Sequence, residues 1–176
     1  MTDQRRFETA VLPCLDAAFN LARWLLRDDS AAEDVVQEAA LRAWRYLGSL
    51  RGDDARPWFL GIVRNACFTY LEERTRRVEK SGFEEDALEA LQIGAGLSAT
   101  GPEEAAAALR DQALIDAALR ALPPLLREVI VLRELEGLDY AEIAMIAAIP
   151  IGTVMSRLSR ARERLRDALT KAGARR

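Results

Sequence analysis

DYAEIAMIAAIPIGTVMSRLSRARERLR, Asp139 to Arg166, is the stretch on which the reading of this chain turns. It divides at Pro150, which cannot continue a preceding helix and biases Ile149 toward an extended backbone, so two short helices meet at a break. In the second, Val154, Leu158, Ala161, Leu165 and Leu169 recur at spacings of four, three, four and four, which places them on one inward face. Arg157, Arg160 and Arg164 share another face. A bent helix pair whose second member carries an arginine ladder is how a protein holds a helix in the DNA major groove. The same spacing also describes a plain helical hairpin with a solvated basic face, so the surrounding sequence has to choose.

Total charge conceals the distribution. The 176 residues hold 25 basic and 28 acidic side chains, a net of −3 that taken alone argues against a polyanionic partner. Residues 1–77 carry 12 basic and 12 acidic side chains, 78–104 carry 1 and 7, and 105–176 carry 12 and 9. From Pro150 onward eight Lys or Arg stand against only Glu163 and Asp167. Local field, rather than net charge, steers a polyanion.

Outward from the decisive stretch, periodicity predicts an all-α chain. Phe7, Val11, Leu15, Ala18, Ala22 and Leu25 predict a first helix from about Arg5 to Leu26. Ser30 and Glu33 form an S-x-x-E capping box that starts a second helix at Ala31, running to about Tyr46. A polar loop over 48–56 leads to Pro57, suited to the first position of a third helix that reaches about Arg76. The pattern decays over 78–104, where glycines scatter among acidic residues, and this predicts a flexible linker with about one helical turn. Periodicity returns over 105–122, stops at Pro123-Pro124 and resumes to Leu135 before Gly137. No alternation is long enough for a strand. The expected architecture is two helical bundles, 1–77 and 105–176, joined by the linker 78–104.

Catalytic chemistry finds no home in these residues. Histidine is absent, which removes the commonest general base and metal ligand. There is no GxxxxGK[ST] or GxGxxG loop, and the Asp28-Asp29 and Asp53-Asp54 pairs read as turn residues. We therefore expect a non-enzyme with no cofactor and no metal site. Cys14 and Cys67 lie in separate helical patterns and read as buried thiols. The start, MTDQRRFETAVLP, lacks an apolar signal core, and no apolar run approaches the ~18 residues that span a bilayer, so a cytoplasmic location without membrane insertion is expected.

Two motif blocks settle the choice. ALPPLLREVIVLRELEGLDYAEIAMIAAIPIGTVMSRLSRARERL, Ala121 to Leu165, carries an LPP opening, an LRELEG segment and a GTVxSRLxRAR helix. DDSAAEDVVQEAALRAW, Asp28 to Trp44, is followed by RPWFLGIVRNACFTYL, Arg56 to Leu71. In order and spacing these resemble the extracytoplasmic-function (ECF, group IV) RNA polymerase sigma factors over nearly the whole chain. The resemblance implies sigma region 2 over 1–77 and sigma region 4, with its helix-turn-helix, over 105–176. It also implies partners: core RNA polymerase, through its beta-prime clamp helices and beta flap, promoter DNA, and an anti-sigma factor as a further candidate.

Carried over residue by residue, the resemblance places polymerase docking on Asp34, Gln37, Glu38 and Leu41. Their spacing of three, one and three gathers them on one helical face, away from Val35, Ala39 and Ala43. Minus-ten DNA falls to Arg51, Arg56, Arg64 and Asn65, in a segment where arginines mix with aromatics, a combination suited to unstacked bases. Trp58, Phe59, Ile62 and Val63 there have core spacing and are expected to be structural. The minus-thirty-five set is Thr153, Met155, Ser156, Arg157, Ser159, Arg160 and Arg164. The chain departs from the family at three places. Thr69, Glu72 and Glu73 weaken the basic surface at the end of the third helix. Ala148 stands where glycine is frequent, so a left-handed conformation there would cost ~1 kcal/mol or the turn differs. Met155 stands where a basic residue is frequent, leaving Ser156, Ser159 and Arg160 as base readers. Two other readings fit parts of the chain: a sigma-mimic partner-switch protein that binds an anti-sigma factor, against which the basic helix speaks, and a plain helix-turn-helix regulator, which leaves the Asp34 to Trp44 block unexplained.

Overall fold

The computed structural model describes residues 3–52, 54–81 and 102–173, and among these there are helices and turns but no strand. The N-terminal bundle comprises α1 (Asp3–Ala10), α2 (Leu15–Leu26), α3 (Asp29–Arg45) and α4 (Arg56–Ser81). The C-terminal bundle comprises α5 (Pro102–Ala121), α6 (Pro124–Ile130), a π-helical turn (Val131–Leu135), α7 (Tyr140–Ala147) and α8 (Ile151–Gly173).

Three local details correct the sequence reading. The single helix expected over 5–26 is broken, because Pro13 has no N–H to give an α-helical turn; Leu12–Cys14 winds as a 3₁₀ turn instead, with Cys14 N–H donating to the Val11 carbonyl at 2.9 Å. The second helix starts earlier than Ala31. Its cap is Asp28, in extended conformation, whose carboxylate accepts from the Ala31 N–H at 3.0 Å, and Ser30 lies inside the first turn. The third and fourth predicted helices are longer at the linker side, ending at Ser81 and beginning at Pro102. The expected flexible linker lies, over 82–101, outside the described residues.

The turn before α7 is well determined by its residues. Glu136 N–H reaches back to the Val131 carbonyl at 3.0 Å, closing the π turn, and Gly137 takes φ 69° to end it. Asp139 and Glu142 then exchange backbone bonds at 2.8 and 2.7 Å, a capping box that starts α7. Ala148 adopts the left-handed region, φ 52° and ψ 46°, so the turn keeps the geometry and bears the strain of a Cβ.

The two bundles pack against each other. α4 lies on α7, and α2 lies on α6 and the π turn, so one apolar core runs through both, from Leu21, Leu25, Phe59 and Leu60 to Ile130, Leu132, Ile143 and Ile146. The closest approach is at Gly61, where a Cβ would stand 3.9 Å from the Cα and carbonyl oxygen of Ile146. Arg127 is buried at this seam. Its Nη1 donates to the Trp24 and Leu25 carbonyls at 2.9 and 3.3 Å, its Nε to Leu119 at 3.1 Å, and its Nη2 to Arg120 at 2.9 Å and to Leu122.

Candidate functional site

On α3, packing against α2 and α4 buries Val35, Val36, Ala39 and Ala43, and this rotates Asp34, Gln37, Glu38 and Leu41 to solvent. Leu41 is 62% exposed. Gln37, Ala40, Leu41, Trp44 and Phe7 line an open apolar cleft, propped by an edge-to-face contact of Phe7 on Trp44 with centroids 5.3 Å apart. The four predicted docking residues thus share one accessible face, and a half-exposed tryptophan that the sequence reading had not assigned joins them.

In the loop before α4, Arg51 is exposed next to Gly52 at φ 82°, and Asp54 accepts from the Arg56 N–H at 2.9 Å, starting the helix. Phe59 and Val63 are fully buried and Trp58 and Ile62 partly so, the structural role expected of them. Asn65 is exposed. Arg56 and Arg64, by contrast, are turned onto the C-terminal bundle. Arg56 Nη2 donates to a Glu136 carboxylate oxygen at 2.9 Å and to the Glu136 carbonyl at 3.0 Å, and Asn20 donates to the other carboxylate oxygen. Arg64 donates to Glu128 through Nε at 2.8 Å, stacks over Phe68 at 4.2 Å and reaches Asn65 Oδ1 at 3.3 Å.

α7 and α8 meet at 99°, a helix-turn-helix angle. Val154, Leu158 and Ala161 are buried against α6 and α7, which presents Met155, Ser156, Ser159, Arg160 and Arg164 to solvent, with Thr153 partly covered. Arg157 departs from its predicted neighbours: its Nη1 pairs with Glu128 at 3.0 Å and its side chain is largely covered. Further along α8 the inward stripe runs out. Leu165 is only half-buried and Leu169 is exposed, and both line an apolar cleft with Ile115, Leu119, Ile130 and Leu135.

Glu128 therefore ties α4, α6 and α8 together through one carboxylate. It has no exposed surface and accepts from Arg64 of α4 and Arg157 of α8 together. Burial pushes its carboxyl above the usual carboxylate range, while the two guanidiniums hold it down. Neither Glu128 nor Arg127 was singled out from sequence. The signal available was a charged pair inside an apolar run, Leu125 to Leu132, since a charge that cannot avoid burial must find a partner. Among the described residues no group of acidic and thiol side chains is arranged to hold a metal ion, and no single helix is long and apolar enough to cross a membrane.

Comparison with known proteins agrees with this geometry. Residues 11–77 match the family description Sigma-70 region 2, and residues 112–165 match Sigma-70, region 4. The chain is 37% identical over 171 residues to the RNA polymerase sigma-H factor of Pseudomonas aeruginosa, covering 95% of this chain and 88% of that protein. It is 40% identical over 132 residues to the ECF RNA polymerase sigma-E factor of Escherichia coli K12, covering 74% and 69%. Among solved structures, the sigma factor RpoE in complex with the anti-sigma factor NepR from Bartonella quintana superposes with a TM-score of 0.75 at 30% identity, covering 91% and 94% of the two chains. CnrH in complex with the cytosolic domain of CnrY superposes with a TM-score of 0.64 at 25% identity, covering 96% and 90%. With both regions matched in order around a right-angled α7–α8 pair, this chain belongs to the ECF sigma factors of the sigma-70 family.

Proposed function

We propose that the chain, as an ECF sigma factor, binds core RNA polymerase through the α3 face of Asp34, Gln37, Glu38 and Leu41 and directs initiation at promoters without hydrolysing a substrate of its own. The observation that carries this is the division of α3 into a buried Val35–Ala39–Ala43 stripe and a solvent face that mixes apolar and polar groups, a surface the fold does not need for itself. In this reading α8 reads the minus-thirty-five element through Ser156, Ser159 and Arg160, with Thr153, Met155 and Arg164 beside them. Arg51, Arg56, Arg64 and Asn65 meet the minus-ten strand. The Arg157 carbon stem stays at the edge of that surface while its guanidinium serves Glu128. In vitro transcription with purified core polymerase on genomic fragments tests the proposal: discrete, sigma-dependent start sites support it, and absence of both polymerase binding and transcripts refutes it.

An anti-sigma factor is proposed as a second partner. Two apolar clefts, one at Phe7, Leu41 and Trp44 and one at Ile115, Leu135 and Leu169, are open in the packed state, and each suits the apolar face of a helix. RpoE and CnrH, the similar solved chains, were each captured with such a partner or part of one.

A further inference from the structure

From Ile151 to Ser159, α8 offers a duplex no exposed charge. The one charged residue in this stretch is Arg157, whose guanidinium pairs with Glu128 at 3.0 Å, and both belong to the C-terminal bundle, so the pairing does not depend on how the bundles are arranged. The first exposed arginine is Arg160, well into the helix. Before it the exposed positions are Ile151, Gly152, Met155, Ser156 and Ser159. A recognition helix enters the major groove by its N-terminal residues, so these are the groups that stand against base edges. The Ser156 hydroxyl donates to the Thr153 carbonyl at 3.0 Å and keeps only its acceptor capacity for a base. Ile151 and Met155 lie one turn apart on the same side of α8, 48% and 54% exposed, and the apolar core is built without them. An apolar side chain set against a polar base edge leaves donors and acceptors unpaired. Thymine is the exception, because its 5-methyl group is an apolar feature of the major groove. Gly152, Ser156 and Ser159 are small enough to let α8 approach closely, and the unbranched thioether of methionine adapts to an irregular surface.

We propose that Met155, flanked by Ile151, selects thymine in the minus-thirty-five element by seating against its 5-methyl group in the major groove. The proposal rests on the assignment of α8 to that element. The contact removes apolar surface of both partners from water, whereas any other base at the same place leaves the thioether facing a polar edge. A basic side chain at position 155 would instead favour guanine, through its O6 and N7 acceptors. Specificity at this base pair is therefore hydrophobic in origin, while Arg160 reads a different pair through hydrogen bonds.

The test uses the full chain with purified core polymerase and a promoter duplex on which the pair initiates, its minus-thirty-five segment randomised. Bound duplexes are recovered and sequenced. The library is made twice, with thymidine and with deoxyuridine in the randomised segment, since uracil pairs as thymine does but lacks the methyl. The wild-type chain is expected to prefer T·A at a base pair of the thymidine library, and this preference is expected to fall about fourfold in the deoxyuridine library, the worth of one methyl group removed from water. This comparison needs no substitution, so it does not depend on the folding of a variant. Met155→Ala, at an exposed position, is expected to abolish the difference between the libraries and to keep the preferences at other base pairs. Met155→Lys is expected to exchange thymine for guanine at that pair. Arg160→Ala is expected to lose a preference elsewhere and to keep the methyl difference. Equal preference for T·A and U·A by the wild-type chain overturns the proposal, as does the lack of any T·A preference or a methyl difference that Met155→Ala retains. The two failures are distinguishable. A chain that selects sequence in the segment but ignores the methyl keeps its sigma function and loses this contact, whereas a chain that selects no sequence in either library loses the assignment of α8 as well.

Discussion

Arg157 and Arg160 lie one turn apart on α8, and the structure gives them different work. Arg160 is exposed, so Arg160→Ala is expected to leave stability unchanged and to lower discrimination between cognate and scrambled minus-thirty-five duplexes by ~1–3 kcal/mol, the worth of a good bidentate base contact. Arg157 shares a buried carboxylate, so Arg157→Ala is expected to lower unfolding stability by about 1–3 kcal/mol in urea, with Arg64 still serving the other oxygen, and to leave the salt slope of duplex binding as it was. A salt slope reduced by about one unit would instead put Arg157 on a phosphate. Cys67 offers a second residue-scale measurement. Burial raises its thiol from 9.0 to about 12, with Arg64 opposing. The folded chain therefore keeps a proton that the unfolded chain gives up near 9. The stability this contributes is whole below about pH 9 and is lost as the pH climbs toward 12, at about 1.4 kcal/mol per pH unit. Urea midpoints at pH 8 and pH 10.5 should fall more steeply for the wild type than for Cys67→Ala; parallel declines would count against the burial of this thiol.

Helices and their ends carried most of what could be read in advance. A capping signal pointed to α3, Pro57 to the start of α4 and apolar spacing to the inward face of α8 as far as Ala161, and Pro150 placed the break because its ring forbids the continuation whatever surrounds it. Pro13 obeys the same rule, yet the apolar pattern ran through it unbroken, since a 3₁₀ turn keeps Val11 and Cys14 inward without keeping the helix. The start of α3 was misplaced because Asp28 and Ser30 are both capping residues, and only backbone geometry distinguishes them. At the α7–α8 turn, Ala148→Gly is expected to stabilise the chain by about 0.5–1 kcal/mol, the relief of a left-handed Cβ less the extra freedom glycine has when unfolded, measurable by chemical denaturation. On α3, the double substitution Gln37→Ala with Glu38→Ala is expected to abolish pull-down of core polymerase while the helical circular dichroism spectrum is kept, because neither side chain is buried. Undiminished polymerase binding would move the docking face elsewhere.

At the level of the whole molecule, the packing of one bundle on the other was not legible. Its polar contacts are made by arginines whose types suit a DNA surface equally well, and its apolar contacts extend a core whose residues each read as part of their own bundle. Region 2 and region 4 were visible as separate units because periodicity and capping are local, whereas the pairing of Arg64 with Glu128 spans 64 positions and leaves no periodic trace. In solution the packed chain is expected to scatter X-rays with a radius of gyration of about 16 Å, the value for a compact body of this length. A clearly larger value in the free protein would show that the bundles part without help.

Arg127 bears on how such a parting could be repeated without damage. Its guanidinium is divided by nitrogen: Nε and Nη2 seal the carbonyls of Leu119, Arg120 and Leu122 within its own bundle, and Nη1 crosses to Trp24 and Leu25. Separation rehydrates one nitrogen and two carbonyls, each bond being worth about 1 kcal/mol net, while the charge keeps its home partners and the end of α5 stays closed. Glu128 is built the same way, with Arg157 at home and Arg64 across the seam. The seam is thus a reversible fastening at its two most deeply buried ions: Arg127 and Glu128 each keep a partner in their own bundle when the halves separate, whereas Arg56, Arg64 and Glu136 exchange theirs for water.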